Sequence, residues 1–399
     1  MERRKKILIS VIYINDIGGI GTSITNLLNL IHNTYDITLI ATSNFISPNR
    51  KIPDNIKILP GSNYLYDIVP DRSKLSGQSL VRKFIRNSRR IVNHFFHSPK
   101  QIEKALDSLK LKDEYDVAIA FTDFKYDSSQ NKCYDYYFVK NCVRAKVKIA
   151  WIHNNAIELG WSKESIVREF QGFDKIVNVS KGCKSIFDNI SSDFENKSKV
   201  VYNCYDIDTI KRLSESNIRL YEDNNKLHIV TVARMKVIQK RIDRVIETCK
   251  RLVENDITNF DWTLVGNGGD LPMFMESVRT LKLEEYIHFV GHKPNPFPYV
   301  KQADLFVQTS DYEGFGMTVK EAQILGVPTF VTNYIASDEV VENGVQGIIC
   351  NNSVDGIYET VKNAILNPDS LKIFKDNLKS HPVSNEIALR QFECVCFDK

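Results

Sequence analysis

Short runs of aliphatic and β-branched residues recur along the chain, each followed by a stretch whose apolar positions return every three or four residues. That alternation predicts parallel strands covered by helices, the pattern of an α/β protein. In the first half the predicted strands are Ile7–Ile14, Ile37–Ala41, Val117–Phe121, Lys148–His153, Lys175–Val179 and Lys199–Val201. In the second half they are Leu227–Val232, Trp262–Val265, Ile287–Val290, Leu305–Gln308, Thr329–Val331 and Gly347–Ile349. Several are apolar at successive rather than alternate positions, as strands buried on both faces are. Residues 214–226 are polar and lack periodicity, so they read as a linker between a domain over 1–213 and a second over 227–380. The spacing of Ile387, Leu389, Phe392, Val395 and Phe397 predicts a last helix within 381–399.

Composition narrows the class. Of 399 residues, 43% are hydrophobic and 26% charged, which fits a folded globular protein and excludes a disordered tail or a small disulfide scaffold. No apolar run approaches the roughly 18 residues of a membrane-spanning helix. The basic N-terminus followed by Ile7 to Ile14 resembles a short signal peptide, but it runs into Asn15-Asp16-Ile17-Gly18-Gly19 instead of a small-residue cleavage site, and reads as a first strand. The eight cysteines form no Cys-x-x-Cys pair and no zinc-like spacing with histidine, so a reducing, cytoplasmic setting is expected.

Net charge is +4, yet residues 1–202 hold 31 Lys and Arg against 21 Asp and Glu, and the remainder 22 against 28. The basic half has reason to meet a negative surface. Its sharpest feature is residues 80–96. On a helical wheel Leu80, Val81, Phe84, Ile85, Ile91, Val92, Phe95 and Phe96 share one side, and Arg82, Lys83, Arg86, Arg89 and Arg90 the other, with no acid between them. Such a helix can lie in the interface of an anionic membrane, or pack on its own domain with its charges in water; periodicity does not separate the two. A nucleic-acid partner is not expected.

Three loops could carry chemistry. Gly18-Gly19-Ile20-Gly21 follows strand one and opens a helix, where backbone can approach an anion; a plain tight turn explains it as well, and the spacing is not that of a dinucleotide site. Arg234, Lys236, Lys240 and Arg241 follow the first strand of the second half, as cations for a phosphate or as a solvated loop. The third is Thr309-Ser310-Asp311-Tyr312-Glu313-Gly314-Phe315-Gly316-Met317-Thr318-Val319-Lys320-Glu321-Ala322. Its glycines allow close backbone approach, and amides of residues 316–319 at a helix start can hold a phosphate. Glu313 and Glu321 suit sugar and ribose hydroxyls; capping the helix and pairing with Lys320 would occupy them too, but leaves the glycines unexplained.

Glu313-Gly-Phe-Gly followed by Glu321-Ala, with Gly326 and Pro328 behind, resembles the retaining nucleotide-sugar glycosyltransferases of GT-B fold, and among them the large bacterial family numbered four. Gly18-Gly19-x-Gly21, the Arg234 and Lys240 pair and Val265-Gly266-x-Gly268 agree, while residues 60–110 match nothing in that pattern. The resemblance implies two Rossmann-like parallel-sheet domains facing across a cleft, with the C-terminal helix crossing back to the first. It implies that Arg234 and Lys240 neutralise the donor diphosphate, with amides of Gly19 to Gly21 and of Met317, Thr318 and Val319. Glu321 would bind ribose, Glu313 the transferred sugar, Gly266 and Gly291-His292 would lie near the nucleotide, with the base beside Gly291-His292-Lys293, and His153 would position hydroxyls at the anomeric centre. No metal or cofactor is implied; the donor expected is a UDP-sugar and the acceptor a glycan or lipid-linked glycan of the cell surface. A nucleotide-sugar epimerase of the same fold, a non-catalytic nucleotide-sugar sensor and an NAD dehydrogenase are the rivals.

Overall fold

A computed structural model describes residues 3–15, 18–68, 99–123, 133–222 and 225–398. The basic helix expected over 80–96 lies outside the described residues. The chain forms two compact units, Met1–Val179 with Cys183–Cys204 and Ala388–Lys399, and Ser180–Gly182 with Tyr205–Ile387.

In the first unit seven strands, β1 (Lys6–Val11), β2 (Asp36–Ala41), β3 (Lys57–Leu59), β4 (Glu114–Ala120), β5 (Arg144–Ile152), β6 (Lys175–Asn178) and β7 (Ser198–Val200), form one sheet in the order β3-β2-β1-β4-β5-β6-β7. Every pairing is parallel. Ile7, Leu8, Ile9, Val117, Ala118 and Ile119 are fully buried, which is why these strands show in the sequence as continuous apolar runs. The Gly19–Ile31 helix follows β1. The final helix, Glu386–Phe397, sets Phe392 and Phe397 on the Tyr35 ring, and Gln391 accepts the Tyr202 amide at 3.0 Å.

The second unit holds β8 (Leu227–Val232), β9 (Phe260–Val265), β10 (Ile287–Gly291), β11 (Leu305–Gln308), β12 (Thr329–Thr332) and β13 (Gly347–Cys350), ordered β10-β9-β8-β11-β12-β13 and again all parallel. Its central strands are tied through a buried polar relay: Trp262 Nε1 donates to Thr231 Oγ1 at 3.0 Å, and that hydroxyl donates to the Val307 carbonyl at 2.6 Å. Satisfying both groups lets an indole and a hydroxyl sit in the core without an unpaired-dipole penalty. No helix among the described residues is long and apolar enough to cross a membrane.

Twelve strands were expected and thirteen are found among the described residues. The extra one, β3, is a three-residue edge strand with Lys57 and Ile58 exposed, so no hydrophobic run announces it. β4 and β5 also begin earlier than their apolar runs. Their first residues, Glu114 to Asp116 and Arg144 to Val147, mix exposed charged positions with apolar ones and pair across strands, with Lys146 Nζ 2.8 Å from Asp116.

Candidate functional site

The strand order sets the loops of the second unit side by side. Those after β10, β9, β8 and β11 stand in a row, and the order reverses between β8 and β11, the position where open parallel sheets bind ligands. The two loops flanking that reversal are joined by an unusually dense network. After β8 the four-residue Val237–Lys240 helix ends at Arg241, left-handed at φ 51°, which also begins the Ile242–Glu254 helix. Arg241 Nη1 reaches Asp311 at 2.8 Å and its guanidinium also grips Asp243. Arg244, only 7% exposed, meets the other Asp311 oxygen at 2.6 Å and donates to the Thr309 carbonyl and to Asn352. Thr309 Oγ1 in turn donates to the Lys240 carbonyl at 2.8 Å, and the Asp311 amide to Gln239 O at 2.9 Å. On this frame Lys240 Nζ is bonded to Glu313 Oε1, which also accepts the Ser310 hydroxyl at 2.7 Å. Glu313 is buried. Arg234 is exposed, held only by a 3.4 Å bond to Gln239 among the described residues.

Beyond Glu313, the buried Gly314 and Phe315 lead to Gly316 at φ 85°, which begins the Met317–Ile324 helix. A side chain at Gly316 would strike the Tyr334 hydroxyl, which arrives from the loop after β12. That hydroxyl is buried without a hydrogen-bond partner among the described residues, and so is Gln308 Oε1 beside it. Burial, with the Glu313 charge added, pushes the Tyr334 phenol well up. The Val319 amide already donates to the Gly316 carbonyl at 3.1 Å. The open amides at this helix start are therefore those of Met317 and Thr318, which have no intrahelical acceptor. Val319, also expected to face a phosphate, has the Gly316 carbonyl as its acceptor within the first turn. Glu321 lies on the next turn and is buried. Burial brings the Lys320 ammonium down to about 8 despite Glu342 nearby.

The remaining loops serve as supports. Gly266, at φ 149°, lies so close to the Ala233 carbonyl that a Cβ cannot fit, and Asp270 accepts the Val237 amide at 2.9 Å, fixing the start of the Lys240 helix. Gly291 is left-handed at φ 73°, and His292 next to it is exposed.

In the first unit, Gly18, Gly19 and Gly21 lie at the start of the Gly19–Ile31 helix, again at the reversal of strand order, here between β1 and β4. Sequence reading missed Arg50 there. Its Nε donates to Asn15 O at 3.0 Å and its Nη2 to Thr22 Oγ1 at 3.1 Å, placing a cation beside the glycine turn. His153, just past β5, is buried. Its amide donates to Asp123 at 2.8 Å and its Nε2 lies 2.7 Å from the Phe121 carbonyl. A carbonyl only accepts, so Nε2 carries the proton; burial also lowers the ring's pKa, and the neutral ring keeps Nδ1 as an acceptor.

Residues 215–381 match the family model described as Glycosyl transferases group 1. Over this segment the chain is similar to group 1 glycosyl transferases. The matched segment contains the Lys240–Glu313 frame, the Gly316 turn and Glu321. Among relatives, the O-antigen biosynthesis glycosyltransferase WclY of Escherichia coli is 28% identical over 203 residues, covering 48% of this chain and 55% of that protein. The alpha-monoglucosyldiacylglycerol synthase of Acholeplasma laidlawii is 24% identical over 409 residues, covering 98% and 96%. The chain spans 55 to 60% of the length of the first curated relatives it matches. A crystal structure of Anabaena HepE with UDP and glucose superposes with TM-score 0.67 at 13% identity, covering 98% of each chain. At that identity the likeness shows the fold, which is GT-B, as expected from the glutamate motif.

Proposed function

We propose that the chain is a retaining glycosyltransferase that moves a sugar from a nucleotide sugar, expected to be a UDP-sugar, to a glycan or lipid-linked glycan of the cell surface. The observation that carries this reading is the grouping at the β8–β11 reversal: Lys240 on Glu313, two open helix-start amides, and Glu321 one turn further. The UDP bound to HepE supports the nucleotide, and the names of WclY and of the alpha-monoglucosyldiacylglycerol synthase support a surface-glycan or glycolipid acceptor. These relatives favour transfer over epimerisation or sensing.

In this reading Lys240, Arg234 and the Met317 and Thr318 amides stabilise the charge that develops on the departing diphosphate, without a metal ion. Donors fixed in place act without reorganisation cost, and losing one such group costs about 10²-fold in rate. Glu321 takes the ribose diol and Glu313 the sugar. The departing phosphate takes the acceptor proton on the same face, so no side chain is assigned as general base. His153, neutral, with its Nδ1 lone pair available, positions a hydroxyl and donates no proton. We place the enzyme in the cytoplasm, at the inner face of the membrane if residues 80–96 bind anionic lipid.

Calorimetry with UDP, GDP, ADP and NAD tests the reading. Selective, metal-free binding of UDP, weakened in Lys240→Ala and in Glu321→Ala, is the expected result. Binding of NAD alone, untouched by either variant, would overturn it.

A further inference from the structure

The cation that should meet a diphosphate is already engaged. Lys240 Nζ is held by Glu313 Oε1, and the two side chains are only 14% and 10% exposed. Breaking a pair this dry leaves two charges without partners, so a ligand that needs either group must contend with the other. The backbones on both sides are immobilised by the Thr309, Asp311, Arg241 and Arg244 bonds described above. What remains free to move is the Lys240 side chain, a point charge on a flexible four-carbon stem. Glu313 has a shorter stem and is tethered by Ser310, while its Oε2 takes no hydrogen bond among the described residues.

We propose that the Lys240–Glu313 pair is an exchange contact that ties sugar recognition to the diphosphate. This rests on the donor reading above. When a nucleotide sugar binds, Lys240 leaves Glu313 for the phosphate, and Glu313, freed of its counter-ion, accepts hydroxyls of the sugar with both oxygens. A sugar without the diphosphate meets a carboxylate already neutralised by Lys240. A nucleoside diphosphate without its sugar leaves Glu313 buried and uncompensated, so the product is held less tightly than the donor and is expelled as Lys240 returns. No covalent step is involved; the contact selects sugars carried on a diphosphate.

The consequence runs against ordinary expectation for a binding-site residue. Glu313→Gln, which keeps the shape and removes the charge, should abolish transfer yet tighten UDP about tenfold, within the range shown by members of one ion-pair network. In a Lys240→Ala background the same change should leave UDP affinity unaltered, since there is no lysine to release. Calorimetry on the full chain with UDP and GDP, for wild type, both single variants and the double, reads this directly, with thermal melts to establish folding. Should Glu313→Gln not fold, Glu313→Asp, which draws the carboxylate back from Lys240, should shift affinity in the same direction. Unchanged or weaker UDP binding by Glu313→Gln would overturn the exchange, as would a tightening that persists undiminished without Lys240, which is simple repulsion. If neither diphosphate binds wild type while Lys240→Ala is equally inert, the donor reading itself falls, and the exchange with it.

Discussion

Substituting Gly316 by alanine tests whether the turn before the Met317–Ile324 helix is built as described. Two costs add. Gly316 is left-handed at φ 85°, where a Cβ costs about 1–2 kcal/mol. The new methyl would also fall on the Tyr334 hydroxyl, within a buried site where overpacking costs about 1–3 kcal/mol. The single variant should therefore lose about 3 kcal/mol. Tyr334→Phe alone should be neutral or stabilising, because the hydroxyl it removes is buried and has no partner among the described residues. Combined, the two changes should not add: removing the hydroxyl makes room for the methyl, and only the backbone cost of about 1–2 kcal/mol should remain. Urea denaturation of all four proteins, monitored by a probe in the second unit, gives the coupling. Strict additivity would refute the claim that Tyr334 occupies the space a side chain would need, and with it the reason for glycine at 316.

His228 is held between Asp261, 2.8 Å from Nδ1, and the Glu222 carbonyl, 3.0 Å from Nε2; both are acceptors, and the bond to Asp261 raises the ring's pKa. Its contribution is complete below its unfolded pKa of about 6.5 and is lost as pH rises through the folded value, so the stability gap between wild type and His228→Gln should close as pH is raised from 6 upward. A gap independent of pH would contradict this. Lys320 shows the opposite sign: between about 8 and its unfolded pKa of about 10.4 the unfolded chain holds a proton that the folded one lacks, so Lys320→Met should melt above wild type at pH 7 and lose that advantage by pH 10. Melting curves across that range check it.

What could be read from the sequence, and what could not, follows from how far apart the causes lie. The spans Leu227–Val232 and Leu305–Gln308 were predicted to the residue because both strands sit at the middle of a sheet, where burial on two faces makes most of their positions apolar. β3 and the starts of β4 and β5 were invisible for the converse reason, since their exposed charged positions break the apolar run. In the site, the glutamates and glycines of 313–321 were legible because backbone shape and chemistry fall within one short segment. Asp311 was not, because its meaning depends on Arg241 and Arg244, contributed by the helix starts after β8. Tyr334, from the loop after β12, and Arg50, in a polar loop after β2, likewise acquire a role only through the neighbours that the fold supplies. The engagement of Lys240 by Glu313 is the most instructive case: the family resemblance implied a cation for the diphosphate, and the structure shows its present partner to be the carboxylate that the same resemblance assigned to the sugar.

The central claim is that a nucleoside diphosphate binds at the β8–β11 reversal of the second unit. A crystal structure of the chain grown with UDP tests it most directly. The account predicts the diphosphate against the Met317 and Thr318 amides with Lys240 Nζ turned away from Glu313 onto a phosphate oxygen, and the ribose on Glu321. UDP bound elsewhere, with the Lys240–Glu313 pair still closed and those amides untouched, would contradict it.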